Sequence, residues 1–125
     1  MPYTPAIKVR DAATVYVAGV TAGPVYHSHP HVLAEFEDVP PDPGQQAEMA
    51  FDNLEHVLAA AGATLDDVVQ LFRFIVDIDR NQDAINAVQA RRMSTRATST
   101  TVEVTRLASA SGLWLELTAV AAVAE

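Results

Sequence analysis

The eight residues from Ser99 to Arg106, SerThrThrValGluValThrArg, place the tightest limit on the fold. Val102 and Val104 alternate with Glu103 and Thr105, the period of a strand with one buried and one wet face. Most of these residues are β-branched and suit a pleated surface. Such a strand needs a sheet, and the sheet needs a layer to cover its apolar face.

The rest of the chain predicts the other parts of that sheet and its cover. Pro5 to Val9 and Thr14 to Val20 both have strand character, and the short Asp11-Ala12-Ala13 connection predicts a hairpin between them. Gly19 ends the second of these strands, either as a bulge or packing glycine or as a point of close ligand approach. Residues 23–43 are irregular and hold five of the seven prolines and three of the four histidines. Within them, Val32 to Phe36 is expected to form a short strand.

Asp42, Pro43 and Gln45 then give a helix start. Ala47, Phe51, Leu54, Leu58 and Ala61 form one apolar stripe, and Gly62 ends the helix with a left-handed cap. Thr64 to Asp67 is a turn that can cap a single helical turn. Val68 to Ile78 is a buried strand interrupted by Arg73, for which an ion pair at a sheet edge or subunit contact is expected. Asn81 to Met93 is a second helix with Ile85 and Val88 inward, and Ser94 to Thr98 is a polar link. Leu113 to Val123 is the last strand, with Trp114, Glu116 and Thr118 on one side and Leu115, Leu117 and Ala119 on the other. This order predicts a single α+β domain over 1–125, a mixed sheet with two helices on one face.

Composition removes several function classes. Zero cysteines exclude disulfides and thiolate catalysis. A net charge of −8 disfavours nucleic acid as a partner, and Arg91-Arg92 is the only adjacent basic pair. No run of 18 apolar residues suggests a membrane span, and no signal peptide is recognisable, so the expectation is a cytoplasmic protein without a membrane partner.

The order of motifs resembles the Rid (YjgF) family of reactive-intermediate imine and enamine deaminases. The resemblance runs through Pro2-Tyr3-Thr4-Pro5-Ala6-Ile7-Lys8, Val15 to Gly19, Gln46-Ala47, Asp52-Asn53-Leu54, Ala60-Ala61-Gly62 and Asp67-Val68-Val69. It continues through Phe74 to Ile78, Ile85-Asn86, Thr101 to Leu107 and Leu115-Glu116-Leu117. It implies a chorismate-mutase-like fold and a homotrimer, with three sheets around a central barrel and ligand clefts between subunits. In deaminating members an arginine binds the carboxylate of a 2-imino or 2-enamino acid, and a glutamate positions the attacking water. Carried over by position, Tyr3, Gly19, Asn86, Thr101 and Glu116 match, and Ala18 replaces the usual serine. Ser99 stands where the arginine is expected, and Thr100 at the serine after it. The chain thus resembles a subgroup without the catalytic arginine.

The expected site is Glu116 as the catalytic group, with Tyr3, Ala18, Gly19, Asn86, Ser99, Thr100 and Thr101 binding a small-molecule substrate. The reaction is expected at an imine, enamine or carbonyl centre: hydrolysis, tautomerisation, hydration or cyclisation, but not standard 2-imino acid deamination. The alternative is a non-catalytic ligand-binding or regulatory trimer using the same cleft. Arg96 or Arg73 could replace the missing charge. No cofactor and no metal are expected: His27, His29 and His31 can share a face in extended chain, but no fourth ligand is fixed nearby by sequence.

Overall fold

A computed structural model describes residues 3–124. Pro2 and the chain ends at 1 and 125 lie outside the described residues. Four strands form one mixed sheet: β1 (Ala12–Val20), β2 (Val68–Val76), β3 (Thr98–Val104) and β4 (Leu115–Ala124), in the spatial order β1-β4-β2-β3. β4 pairs antiparallel with β1 and β2, while β2 and β3 are parallel. A parallel pair needs a crossover, and α2 (Ile78–Arg92) provides it; α1 (Pro43–Ala60) connects β1 to β2.

Both helices cover one face. Phe51, Leu54 and Leu58 of α1 and Ile85 and Val88 of α2 pack on Leu71, Ile75, Leu115, Leu117 and Ala119 of the sheet. The predicted start of α1 is present: Asp42 Oδ2 accepts from the Gln45 N–H at 2.9 Å, and Gly62 has φ +78° just past the helix. Arg92 ties the two helices together through Asp52 at 2.8 Å and Glu55 at 3.0 Å.

Three expectations need correction. Residues 5–10 are not a strand, so there is no hairpin with β1. The N-terminal segment runs instead to the β3 side, where the Thr4 N–H donates to Ala97 O at 3.1 Å and Thr4 Oγ1 donates to Arg96 O at 2.6 Å. Val32 to Phe36 is no strand either: Leu33–Phe36 is a 3-10 turn. Its Phe36 is buried against Gly23, where a Cβ would come within 2.5 Å of the ring. Finally, β2 is an interior strand, so Arg73 is at no sheet edge.

The open face of the sheet carries Tyr16, Phe72, Phe74, Glu116, Thr118, Val120 and Val102 by register. Loop residues including Phe36, Leu107 and Leu113 pack over Phe74, Val76 and Val104 at one end. Elsewhere Tyr16 is 80% and Val102 43% exposed.

Gln46, 1% exposed, joins the loops at the covered end. Its Nε2 donates to Pro40 O at 2.8 Å and Gly112 O at 2.7 Å, and its Oε1 accepts from Trp114 N at 2.8 Å. Gln46→Leu would remove the side-chain partner of three partly buried backbone groups. We expect a loss of about 2–3 kcal/mol in urea unfolding, against near-neutral effects for exposed positions such as Glu37.

Candidate functional site

The first half of β3, the link at residues 94–96 before it, Arg73 of β2 and α2 line a cavity of about 730 Å³ on the helix-covered side of the sheet. Tyr3, Asn86, Ser99 and Thr101, four of the expected binding residues, line it. Each arrives for a local reason. Ser99 and Thr101 pair with Leu71 and Arg73 of β2, which puts them on the face that α2 covers. Asn86 comes from α2 itself. Tyr3 is brought in because Thr4 is bonded to residues 96 and 97 just before β3.

Arg73 is the buried cation in this cavity. It follows Leu71 and precedes Ile75 on the inward side of β2, and is only 6% exposed. Its Nε donates to Thr101 Oγ1 at 2.9 Å, and its Nη1 donates to Asn86 Oδ1 at 2.7 Å and Gln89 Oε1 at 3.1 Å. Within one chain no carboxylate among the described residues pairs with it. Burial pushes its pKa below the usual arginine value, yet a guanidinium stays charged in proteins. All three partners are neutral, and Nη2 has no partner among the described residues. A buried cation with no counter-charge is a costly arrangement that a bound anion relieves. Arg96 also lines the cavity, but from an exposed position.

Glu116 is not there. It pairs with Phe74, as does Val102, and so points to the open face of the sheet, opposite Ser99 and Thr101. Thr100, level with Phe72, is on that open face too. Gly19 sits in a β-bulge between Val17 and Val20 and abuts Glu116: a Cβ at Gly19 would lie 2.8 Å from Glu116 Cδ. This glycine thus has a packing role that lets the carboxylate lie against β1. Ala18 is exposed in the same bulge and does not line the cavity. Glu116 is half-buried, and desolvation pushes its carboxyl above the usual range. It has no hydrogen-bond partner among the described residues.

One chain therefore carries the expected site as two separate halves. Tyr3, Asn86, Ser99 and Thr101 stand with Arg73 on one side of the sheet; Gly19 and Glu116 stand on the other. Sequence reasoning missed Gln89 and favoured an ion pair for Arg73, with replacement of the missing charge as the alternative. The available signal was parity: Arg73 shares a face with Leu71 and Ile75, where a charge needs a specific purpose.

His27, His29 and His31 lie outside the cavity, before the 3-10 turn, with ring centroids 4.7–5.1 Å apart. The pKa of His31 is lowered by desolvation and then by His29, His27 and Arg106, against an opposing effect of Glu35.

The chain matches the family model described as Endoribonuclease L-PSP over residues 1–123. RutC family protein YjgH of Escherichia coli (strain K12) is 35% identical over 75 residues, which take in 59% of this chain and 57% of that protein. The chain thus aligns with little more than half the length of this relative. Among solved structures, Rv2704 of Mycobacterium tuberculosis, a member of the YjgF/YER057c/UK114 family, is 31% identical with a TM-score of 0.69, covering 98% of this chain and 88% of that one. YyfB of Yersinia pestis, of the Rid protein family, is 25% identical with a TM-score of 0.76, covering 98% and 87%.

Proposed function

From the premise that this chain belongs to the Endoribonuclease L-PSP family, which includes the YjgF/Rid proteins, we propose that it is an enzyme acting at an imine, enamine or carbonyl centre of a small anionic metabolite. The observation that carries this reading is Arg73, buried in the cavity beside Ser99 and Thr101 without a carboxylate partner. It supplies a cation that Ser99 cannot. The cation is nevertheless shifted. Arg73 is one strand inward from Ser99 and level with Thr101, which moves its Cα roughly 5 Å across the sheet and ~7 Å along it. A three- or four-carbon 2-imino acid anchored there would place its C=N away from the position an arginine at 99 would give it. The substrate is therefore not one of these simple acids.

The assembly is a homotrimer with a cleft between neighbouring copies. Two observations support it: the open sheet face with Tyr16 and Val102 exposed, and the division of the site into two halves on opposite faces. A cleft between copies brings Glu116 of one subunit to the Arg73 cavity of the next. There the carboxylate, held above its usual pKa by burial, accepts or returns a proton at the reacting centre. The family description refers to RNA cleavage, but a net charge of −8 opposes binding of a phosphate backbone.

Light scattering should report three chains, and an assay coupling imine loss to keto-acid formation should show little turnover of 2-iminopropanoate or 2-iminobutanoate. A monomer in solution would refute the assembly. Turnover equal to that of an arginine-bearing relative would show that Arg73 holds these simple acids as well as an arginine at 99 does, and would overturn the assigned substrate class.

A further inference from the structure

The loop of residues 24–32 has no role in the proposed cleft chemistry, yet it is built around three imidazoles. We propose that His27, His29 and His31 form a binding site for one zinc ion, with a fourth position open to water or to a ligand.

The geometry carries this. One ring nitrogen of each histidine lies within 4.8 Å of the other two. Zinc–nitrogen bonds of about 2.0–2.1 Å in a tetrahedron put ligand nitrogens roughly 3.4 Å apart. The set therefore closes on a metal by movements of roughly 1 Å, within reach of side-chain rotation in exposed residues. The three rings converge from an irregular loop, with ring centroids 4.7–5.1 Å apart.

The surroundings select the metal-binding form. His27 Nδ1 lies 3.0 Å from Pro24 O. A carbonyl cannot donate, so Nδ1 carries the hydrogen, which leaves Nε2 of the neutral ring as the atom that can bind a metal. Histidine ligands are commonly oriented by such a bond from the second ring nitrogen to a backbone carbonyl. Phe36 backs the cluster, edge-on to His27 at 5.2 Å and to His31 at 6.4 Å. Phe36 is itself fixed by burial over Gly23. Glu35 Oε1 accepts from the Ser28 N–H at 3.1 Å, which binds the 3-10 turn to the middle of the histidine run.

Three imidazoles suit zinc, and three protein nitrogens with no fourth protein ligand leave an exchangeable position. The sequence alone argued against a metal because no fourth ligand was fixed. An open position makes a fourth protein ligand unnecessary, and the convergence of the rings is what the sequence could not display.

The test uses the full chain, stripped with a chelator and titrated with zinc chloride in a calorimeter. One zinc should bind per chain, at least ~100-fold more tightly than to a His29→Ala/His31→Ala variant. All three side chains sit in a surface loop, so metal-free melting temperatures should be similar. Added zinc should raise the melting temperature of the unaltered protein and leave that of the variant unchanged. Cobalt should give the intense visible absorption of a tetrahedral ion in the unaltered protein only. Equal zinc affinity in both proteins, or a cobalt spectrum of octahedral type in the unaltered chain, overturns the proposal. None of these readouts depends on turnover or on the identity of the cleft substrate.

Discussion

Arg73→Met should weaken binding of an anionic ligand in the α2–β3 cavity by roughly 30- to several-thousand-fold, while the melting temperature holds or rises. The two effects separate for a physical reason. Removing a desolvated cation from its anion typically costs about 2–5 kcal/mol, which sets the range of the affinity change. In the empty protein the same side chain is a buried charge on neutral partners, Thr101, Asn86 and Gln89. Replacing it with an apolar chain of similar length removes that desolvation cost, against the loss of three hydrogen bonds. A structural arginine would behave in the opposite way, with a large fall in melting temperature and unchanged binding. Arg73→Lys keeps the charge without the planar fork and should recover only part of the affinity. The reciprocal change, Ser99→Arg, should raise hydrolysis of the simple 2-imino acids by restoring the cation on β3.

Glu116→Gln should reduce turnover by about 10²–10⁴-fold, the usual contribution of a general acid or base, and leave ligand binding nearly intact. Unchanged turnover would remove Glu116 from the chemistry, and ligand binding without turnover by the unaltered protein would instead favour the non-catalytic trimer. The pH profile adds a second readout. Burial raises the carboxyl of Glu116 above its unfolded value, so a rate that needs the ionised base should fall on the acid side at a pH above the ordinary glutamate range. The stability effect has the reverse sense. With the folded value raised, the folded chain takes up the proton first. Stability from this group therefore increases as pH drops through the folded value, and stops changing below the unfolded one. Glutamine removes that dependence. Mixed oligomers of Glu116→Gln and Arg73→Met chains give the sharpest check. If a cleft takes its carboxylate from one chain and its guanidinium from another, some clefts in the mixture have both, and activity returns on mixing. If both come from one chain, no cleft is complete and activity stays lost.

The parts of the fold that were legible rest on local signals. Asp42, Pro43 and Gly62 bound α1 because caps act on the nearest backbone groups. Thr64 and Asp67 satisfy each other's backbone across a single turn, as their spacing implied. β3 forms where the alternation put a strand, but the expected buried and wet faces do not hold: Val102 is on the open face of the sheet, and it and Glu103 are both exposed. What failed depended on partners distant in sequence. Pro5 to Val9 has strand-like residues, but the hydrogen bonds of Thr4 hold this segment to residues 96–97 instead of β1. Val32 to Phe36 follows the demand of one aromatic ring for the space above Gly23. For the site, matching positions identified Ser99, Thr101, Asn86 and Tyr3 as neighbours, which they are. They also grouped Glu116 with them, although strand parity sends it to the opposite side. Strand order decided Arg73: only once β2 is known to lie between β4 and β3 does its guanidinium become an interior cation.

The separation of Glu116 from Arg73 by the thickness of one sheet has a kinetic consequence. A lone chain holds every group the proposed chemistry needs and still cannot perform it, because the sheet cannot fold through itself to bring its two sides together. Specific activity then follows mass action. It should be flat at high protein concentration and fall more steeply than linearly on dilution below the dissociation range. Newly made chains would be inert until they find one another, so reactive chemistry switches on only after assembly.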